Sequence, residues 1–148
     1  MKKIVLGMWM LCAALVLNAA DADWMTDFEK AKAKAKQEKK LILLDFTGSD
    51  WCPPCIQLKK NVFSTDEFAK YAKDNLVLMQ VDFPRRKAQS EQLKKANEKL
   101  KNAYGPEGFP TLVLVDATGK ELGRQVGYSG EKPAAFIAKV EGWKATKS

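Results

Sequence analysis

Residues 41–60 read LILLDFTGSDWCPPCIQLKK, and the order of residue types along them sets the architecture. Leu41 to Phe46 form an almost continuous apolar run, the pattern of a strand covered on both faces in a parallel sheet. One carboxylate, Asp45, interrupts it. A short polar turn follows, then two cysteines separated by two prolines, then a segment of helical character reaching Phe63.

The flanking sequence extends this pattern in both directions. Thr26 and Glu29 stand at capping-box spacing, and the alanine- and lysine-rich run after them predicts a helix to about Lys39. Ser64 and Glu67 repeat the spacing and predict a short helix through DEFAKYAK, with NLVLMQVD (75–82) as the next buried strand. From about Ala88 to Tyr104, Leu93, Ala96, Leu100 and Tyr104 recur at three- and four-residue spacing, which marks an amphipathic helix that GPEG (105–108) ends. TLVLVD (111–116) and ELGRQVGY (121–128) flank the turn ATGK and predict a β-hairpin, Gly119 supplying the reversal. A last helix carries Phe136, Ile137, Val140 and Trp143 on one side, with Pro133 in its first turn. Strands separated by helices favour βαβ crossovers, so an α/β domain with a mixed sheet and helices on both faces is expected.

The chain has 148 residues, 46% of them hydrophobic, which suits one cored domain and a targeting segment. MKKIVLGMWMLCAALVLNAADA, at the start, has the layout of a secretory signal peptide, with cleavage after Ala19, Ala20 or Ala22. Its apolar run, Ile4 to Leu17, is short against the ~20 residues of a spanning helix. The expected organisation is a signal peptide at 1–20 and a folded domain at 24–145. Export to the periplasm is expected, with secretion as the alternative. Cys12 follows Leu11 and sits too early for a lipoprotein, so the exported protein keeps two cysteines, Cys52 and Cys55.

The net charge of +7 draws largely on EKAKAKAKQEKK (29–40), which reads as a solvated helix face. No basic patch interleaved with aromatics argues for nucleic acid. The chain lacks histidine, which excludes Cys–His and Ser–His–Asp catalysis and every histidine metal site.

Three chemistries compete for the cysteine pair. Two thiolates fall short of the four ligands of structural zinc, and no nearby methionine or histidine completes a copper site, so no metal is expected. A structural disulfide closing so short a loop constrains the unfolded chain little. Redox chemistry fits best: Cys52 at the turn is placed to attack, its thiolate favoured by the positive end of the helix, and Cys55, one turn in, to resolve the mixed disulfide. Pro53 and Pro54 restrict the loop at little cost in hydrogen bonds. A lone acid in an apolar strand should have a raised pKa, which suits Asp45 to general-base work.

DFTGSDWCPPC (45–55), followed by VFSTDEFAKYAKDNLVLMQVDFP (62–84) and GFPT (108–111), resembles the thioredoxin superfamily over roughly residues 24–143. Within it, these motifs look most like exported bacterial thioredoxin-like proteins related to the C-terminal domain of the disulfide interchange reductase. The resemblance implies a thioredoxin fold, a central mixed β-sheet flanked by helices on both faces. It also implies a thiol–disulfide oxidoreductase with no cofactor beyond the redox-active Cys52–Cys55 disulfide. Trp51, Phe109 and Pro110 would form the substrate-binding surface, with Pro110 as the cis-proline facing the disulfide and Phe109 presenting its backbone to an extended substrate. Asp45 would help move the proton of Cys55. The chain departs from the superfamily pattern in three places: one extra residue between Asp45 and Cys52, Leu78 where a lysine is common, and Thr47 where an aromatic residue is common.

The implied partners are protein thiols and disulfides, with a membrane electron donor to recharge the pair. Reduction is the expected direction, because the residues between the cysteines include no histidine of the kind that stabilises the thiolate in strongly oxidising relatives. The alternatives are a thiol oxidase or isomerase, and a non-catalytic module binding through Trp51, Phe109 and Pro110.

Overall fold

Every residue of the strand Leu41–Thr47 is buried, and that requires partners on both edges and cover on both faces. The computed structural model describes residues 22–146; the signal-peptide reading at 1–20 lies outside them. In chain order the elements are β1 (Trp24–Met25), α1 (Phe28–Glu38), β2 (Leu41–Thr47), α2 (Pro53–Leu58), α3 (Asp66–Asn75), β3 (Leu76–Asp82), α4 (Glu91–Tyr104), β4 (Thr111–Val115), β5 (Glu121–Val126) and α5 (Pro133–Lys144). A wider π-helical turn, Lys59–Phe63, prolongs α2. The strands form one sheet in the order β1-β3-β2-β4-β5. β1 and β2 run parallel to β3, while β4 runs antiparallel to both β2 and β5, which makes the mixed thioredoxin sheet.

Alternation along β2 divides the core in two, because successive side chains of a strand point to opposite faces. Leu41 and Leu43 join Leu58, Val62 and Phe63, Phe68 of α3, and Phe136 and Val140 of α5. Ile42, Leu44 and Phe46 join Ala31 and Ala35 of α1 and Leu100 of α4. Helices therefore cover both faces. Asp45 and Thr47 continue the Leu41–Leu43 row, so Asp45 lies on the face that α2 covers.

Several boundaries differ from those expected. α1 is capped by Asp27, not Thr26: its carboxylate accepts the Lys30 N–H at 3.1 Å. α3 is capped by Thr65, not Ser64, through a 3.3 Å bond from the Phe68 N–H. In both cases the adjacent residue caps equally well and sets the face that holds Ala31 and Ala35, or Phe68 and Ala72. α4 starts at Glu91 after a Ser90 cap, and it buries Asn97 while Ala96 is exposed. Asn97 is tolerated inside because its Nδ2 donates to the Asp82 carbonyl at 2.9 Å, at the end of β3. β1, which the apolar pattern did not suggest, adds two residues beside β3.

Gly123 of β5 is where α5 closes on the sheet. A Cβ there would lie 2.2 Å from Cγ of Trp143. Gly123→Ala is expected to overpack this contact and lower the unfolding free energy by about 1–3 kcal/mol. A urea titration checks this, reading a lower midpoint at unchanged slope.

Candidate active site

The C-terminal ends of β2 and β3 lie side by side, so the chain segments leaving them meet. From β2 comes Gly48–Ser49–Asp50–Trp51, which turns back on itself: the amide N–H groups of Trp51 and Cys52 both donate to the Gly48 carbonyl, at 3.2 and 2.9 Å. A Cβ on Gly48 would fall 2.4 Å from the Trp51 indole, so the ring lies flat against a residue that has no side chain to obstruct it. From β3 comes the loop 83–87.

Three consecutive residues tie the two segments together. The Ser49 N–H and hydroxyl donate to the Asp82 carboxylate, at 3.0 and 2.5 Å. The Asp50 carboxylate accepts the backbone N–H groups of Arg85, Arg86 and Lys87 at 2.9, 2.8 and 2.8 Å. The Trp51 indole N–H donates to the Phe83 carbonyl at 2.8 Å. These donors, the Arg85 amide foremost, hold the Asp50 carboxyl down at about 2. The residue inserted between Asp45 and Cys52 is thus accommodated in a turn that grips the neighbouring loop.

Cys52 and Cys55 are joined as a disulfide across a Cα–Cα distance of 5.2 Å. Cys52 has extended backbone angles and caps α2 from outside; Pro53 and Pro54 open the helix and Cys55 lies in its first turn. Solvent reaches 3% of Cys52 and 4% of Cys55, so exposure does not separate their roles and position in the helix must. The Phe109–Pro110 peptide is cis, and the Phe109 carbonyl oxygen lies 3.6 Å from the Cys52 sulfur. Its loop is held by the Thr111 hydroxyl, donating to the Gly108 carbonyl at 2.6 Å, and by the Gly127 N–H, donating to the Pro110 carbonyl at 2.7 Å. The Phe109 ring stacks on Phe83 at 5.4 Å and meets Trp51 edge-on at 5.9 Å. Trp51, Phe109 and Pro110, the residues read from the sequence as a substrate surface, thus lie at the same end of the sheet as the cysteine pair.

Asp45 is buried, and its Oδ1 has no hydrogen-bond partner. Burial, with a smaller contribution from the Asp82 charge, pushes its carboxyl up to about 7, against a downward pull from Lys59. A carboxyl of that acidity can exchange a proton near neutral pH. Sequence reasoning missed Gly48, Ser49, Asp50, Asp82 and Arg85. The only signals for them were a carboxylate inside the β2–α2 turn, another ending β3, and the PRRK loop that follows it.

Among the described residues, no cluster of three or more His, Cys, Asp or Glu is placed to hold a metal. No helix there is long and apolar enough to cross a membrane. Residues 28–141 match the family model of a thioredoxin-like domain. The chain is 39% identical over 125 residues to the disulfide bond reductase DsbH of Chlamydia pneumoniae, across 84% of this chain and 74% of that protein. It is 31% identical over 102 residues to the thiol:disulfide interchange protein DsbD of Actinobacillus pleuropneumoniae, which takes in 64% of this chain but 16% of the much longer relative. A solved DsbH oxidoreductase structure superposes with a TM-score of 0.78 at 34% identity, covering 96% of this chain and 94% of that one.

The acidity of Asp45 has a consequence for stability. In the unfolded chain this carboxyl ionises near its ordinary value of 3.8, and in the folded protein only near 7. Between those values the folded state holds the extra proton, so stability falls as pH rises through the window and levels off above it. Asp45→Asn removes the ionisation. The stability advantage of Asp45→Asn over the parent, measured by denaturant unfolding of the oxidised proteins, is expected to grow from pH 4 to pH 7 and then stay constant.

Proposed function

The chain belongs to the thioredoxin-like family as a thiol–disulfide oxidoreductase, and we propose that it is an exported reductase of protein disulfides, acting through Cys52 as nucleophile and Cys55 as resolving thiol. The observation that carries this reading is the placement of the pair. Cys52 caps α2 beside the Phe109 carbonyl, Cys55 is buried in the first turn of that helix, and Asp45 is buried on the face of the sheet that α2 covers.

In the reduced protein the Cys52 thiolate attacks one sulfur of a substrate disulfide. The Cys52–substrate bond forms as the substrate S–S bond breaks, and the leaving thiolate takes up a proton. Cys55 then gives its proton to the Asp45 carboxylate and attacks the Cys52 sulfur, closing the Cys52–Cys55 disulfide and expelling the second substrate thiolate, which takes up a proton as Asp45 returns its own to solvent. Two electrons have moved from the protein to the substrate, which leaves as a dithiol. A dithiol donor must then return two electrons to the protein. In an oxidising periplasm that donor is expected to be a membrane protein. Trp51, Phe109 and Pro110 make the surface on which the substrate chain lies, Phe109 offering its backbone.

The two prolines support the reducing direction. A helix start normally offers several amide N–H groups to an anion. Here the Cys52 N–H is bonded to Gly48, and Pro53 and Pro54 have none, so Cys55 supplies the first amide the turn can offer a Cys52 thiolate. A less stabilised thiolate makes the dithiol the better electron donor, as the contrast with strongly oxidising pairs requires. The DsbH relative is named a disulfide bond reductase, which agrees with this direction.

Two measurements test the proposal. The pair, equilibrated with dithiothreitol or glutathione and read by thiol alkylation, is expected near thioredoxin's ~−270 mV; a value near ~−120 mV would make it an oxidase. Pro54→Gly, which restores an amide, should raise the potential by a few tens of millivolts. Cys55→Ser is expected to accumulate a mixed disulfide with substrate proteins that Cys52→Ser does not form. Full biological activity in Cys52→Ser would favour a binding module instead.

A further inference from the structure

The loop that Asp50 holds presents three consecutive cations, Arg85, Arg86 and Lys87, all exposed, beside the candidate nucleophile. Asp50 binds their backbone amides, so it fixes the loop without an ion pair to either arginine, and only the Lys87 charge adds to its field. The ion pairs among the described residues leave out Arg85 and Arg86, and Lys87 stands 3.7 Å from the Asp82 carboxylate. The Arg85 guanidinium carbon sits 3.7 Å above the centre of the Trp51 ring, and Trp51 directly precedes Cys52. Behind it, Lys101 lies 5.5 Å over the Phe83 ring. The aromatic wall Trp51–Phe109–Phe83 thus carries a cation at each end, and Arg85 rests on the residue that directly precedes Cys52.

We propose that this loop is a specificity-determining rim, selecting protein disulfides that carry an acidic side chain within a residue or two of the cysteine under attack. The inference rests on the reductase reading and adds the substrate class. A guanidinium held over an indole without a carboxylate partner has N–H groups to offer, and guanidinium N–H groups match a carboxylate in bidentate fashion. Stacking also lowers the entropy lost when the pair forms, because the arginine is already ordered. A basic flank on the substrate meets like charge at the same place. The chain is basic, +7 in full and +5 without residues 1–20, which hold Lys2, Lys3 and no acid, so longer-range attraction acts in the same sense.

The test uses two short cyclic peptides with the same disulfide, one with glutamate and one with lysine beside each cysteine. Each is mixed with fully reduced protein, and the second-order rate of disulfide exchange is followed by stopped-flow fluorescence. The parent protein is expected to react about tenfold faster with the glutamate peptide at low ionic strength, the ratio shrinking as salt is added. Arg85→Ala keeps the amide that Asp50 binds and should cut the ratio several-fold; Arg85→Glu combined with Arg86→Glu should invert it. Lys70→Glu on α3, which makes none of the rim's hydrogen bonds, should leave the ratio in place and so separates a local effect from net charge. Equal rates for the two peptides with the parent protein, or a ratio unmoved by Arg85→Ala and by the double reversal, would overturn the proposal. The neutral 2-hydroxyethyl disulfide, run alongside, distinguishes the two failures. If it exchanges but no charge preference appears, only the rim is wrong; if it too fails, the reductase reading falls and the rim with it.

Discussion

A strand buried along its whole length must be hydrogen-bonded on both edges and covered on both faces, and β2 meets all four demands. β3 and β4 take its edges, α2, α3 and α5 cover one face, and α1 and α4 the other. That constraint forces the chain to cross the sheet between β2 and β3 and so brings the C-terminal ends of these parallel strands together. The two segments that leave them are neighbours for the same reason. The cysteine turn, the 83–87 loop and, through antiparallel β4, the Phe109–Pro110 loop all gather at one end of the sheet.

Charge at that end is graded by burial. Asp45, deepest and unpartnered on one oxygen, holds its proton to about 7. Asp82, one strand over, accepts from Ser49, and Asp50, at the surface, is an anion down to about 2. Three carboxyl groups of the same chemistry therefore sit in three different states, one buried with a raised pKa, one anchoring a turn and one clamping a loop, and solvent access with the supply of N–H donors decides which is which. Leu78 lies in the apolar core, so no lysine on β3 offsets the burial of Asp45.

The elements themselves were legible in the sequence because they rest on long, regular signals: the unbroken run of β2, the hairpin around Gly119, the apolar side of α5. The cysteines and their prolines were legible because few chemistries need that spacing. What escaped was decided by single hydrogen bonds. Asp27 and Thr65 won the caps from adjacent residues, and Asn97 holds a core position with its Nδ2 bonded, beside the Gln89 Nε2, to the carbonyl that ends β3. β1 is two residues long, too short for any period to register. Ser49 and Asp50 looked like ordinary turn residues, since their partners lie more than thirty positions away and only the crossover brings them close.

The clamp that Asp50 places on the 83–87 loop reaches only main-chain amides. Any residue except proline at 85, 86 or 87 can supply the same three bonds, so the loop's shape is encoded in one place and its surface chemistry in another. Descendants of this chain can exchange the side chains this loop displays without rebuilding the turn that holds Cys52. Variation of that surface and preservation of the cysteine turn are thereby uncoupled at the level of the backbone.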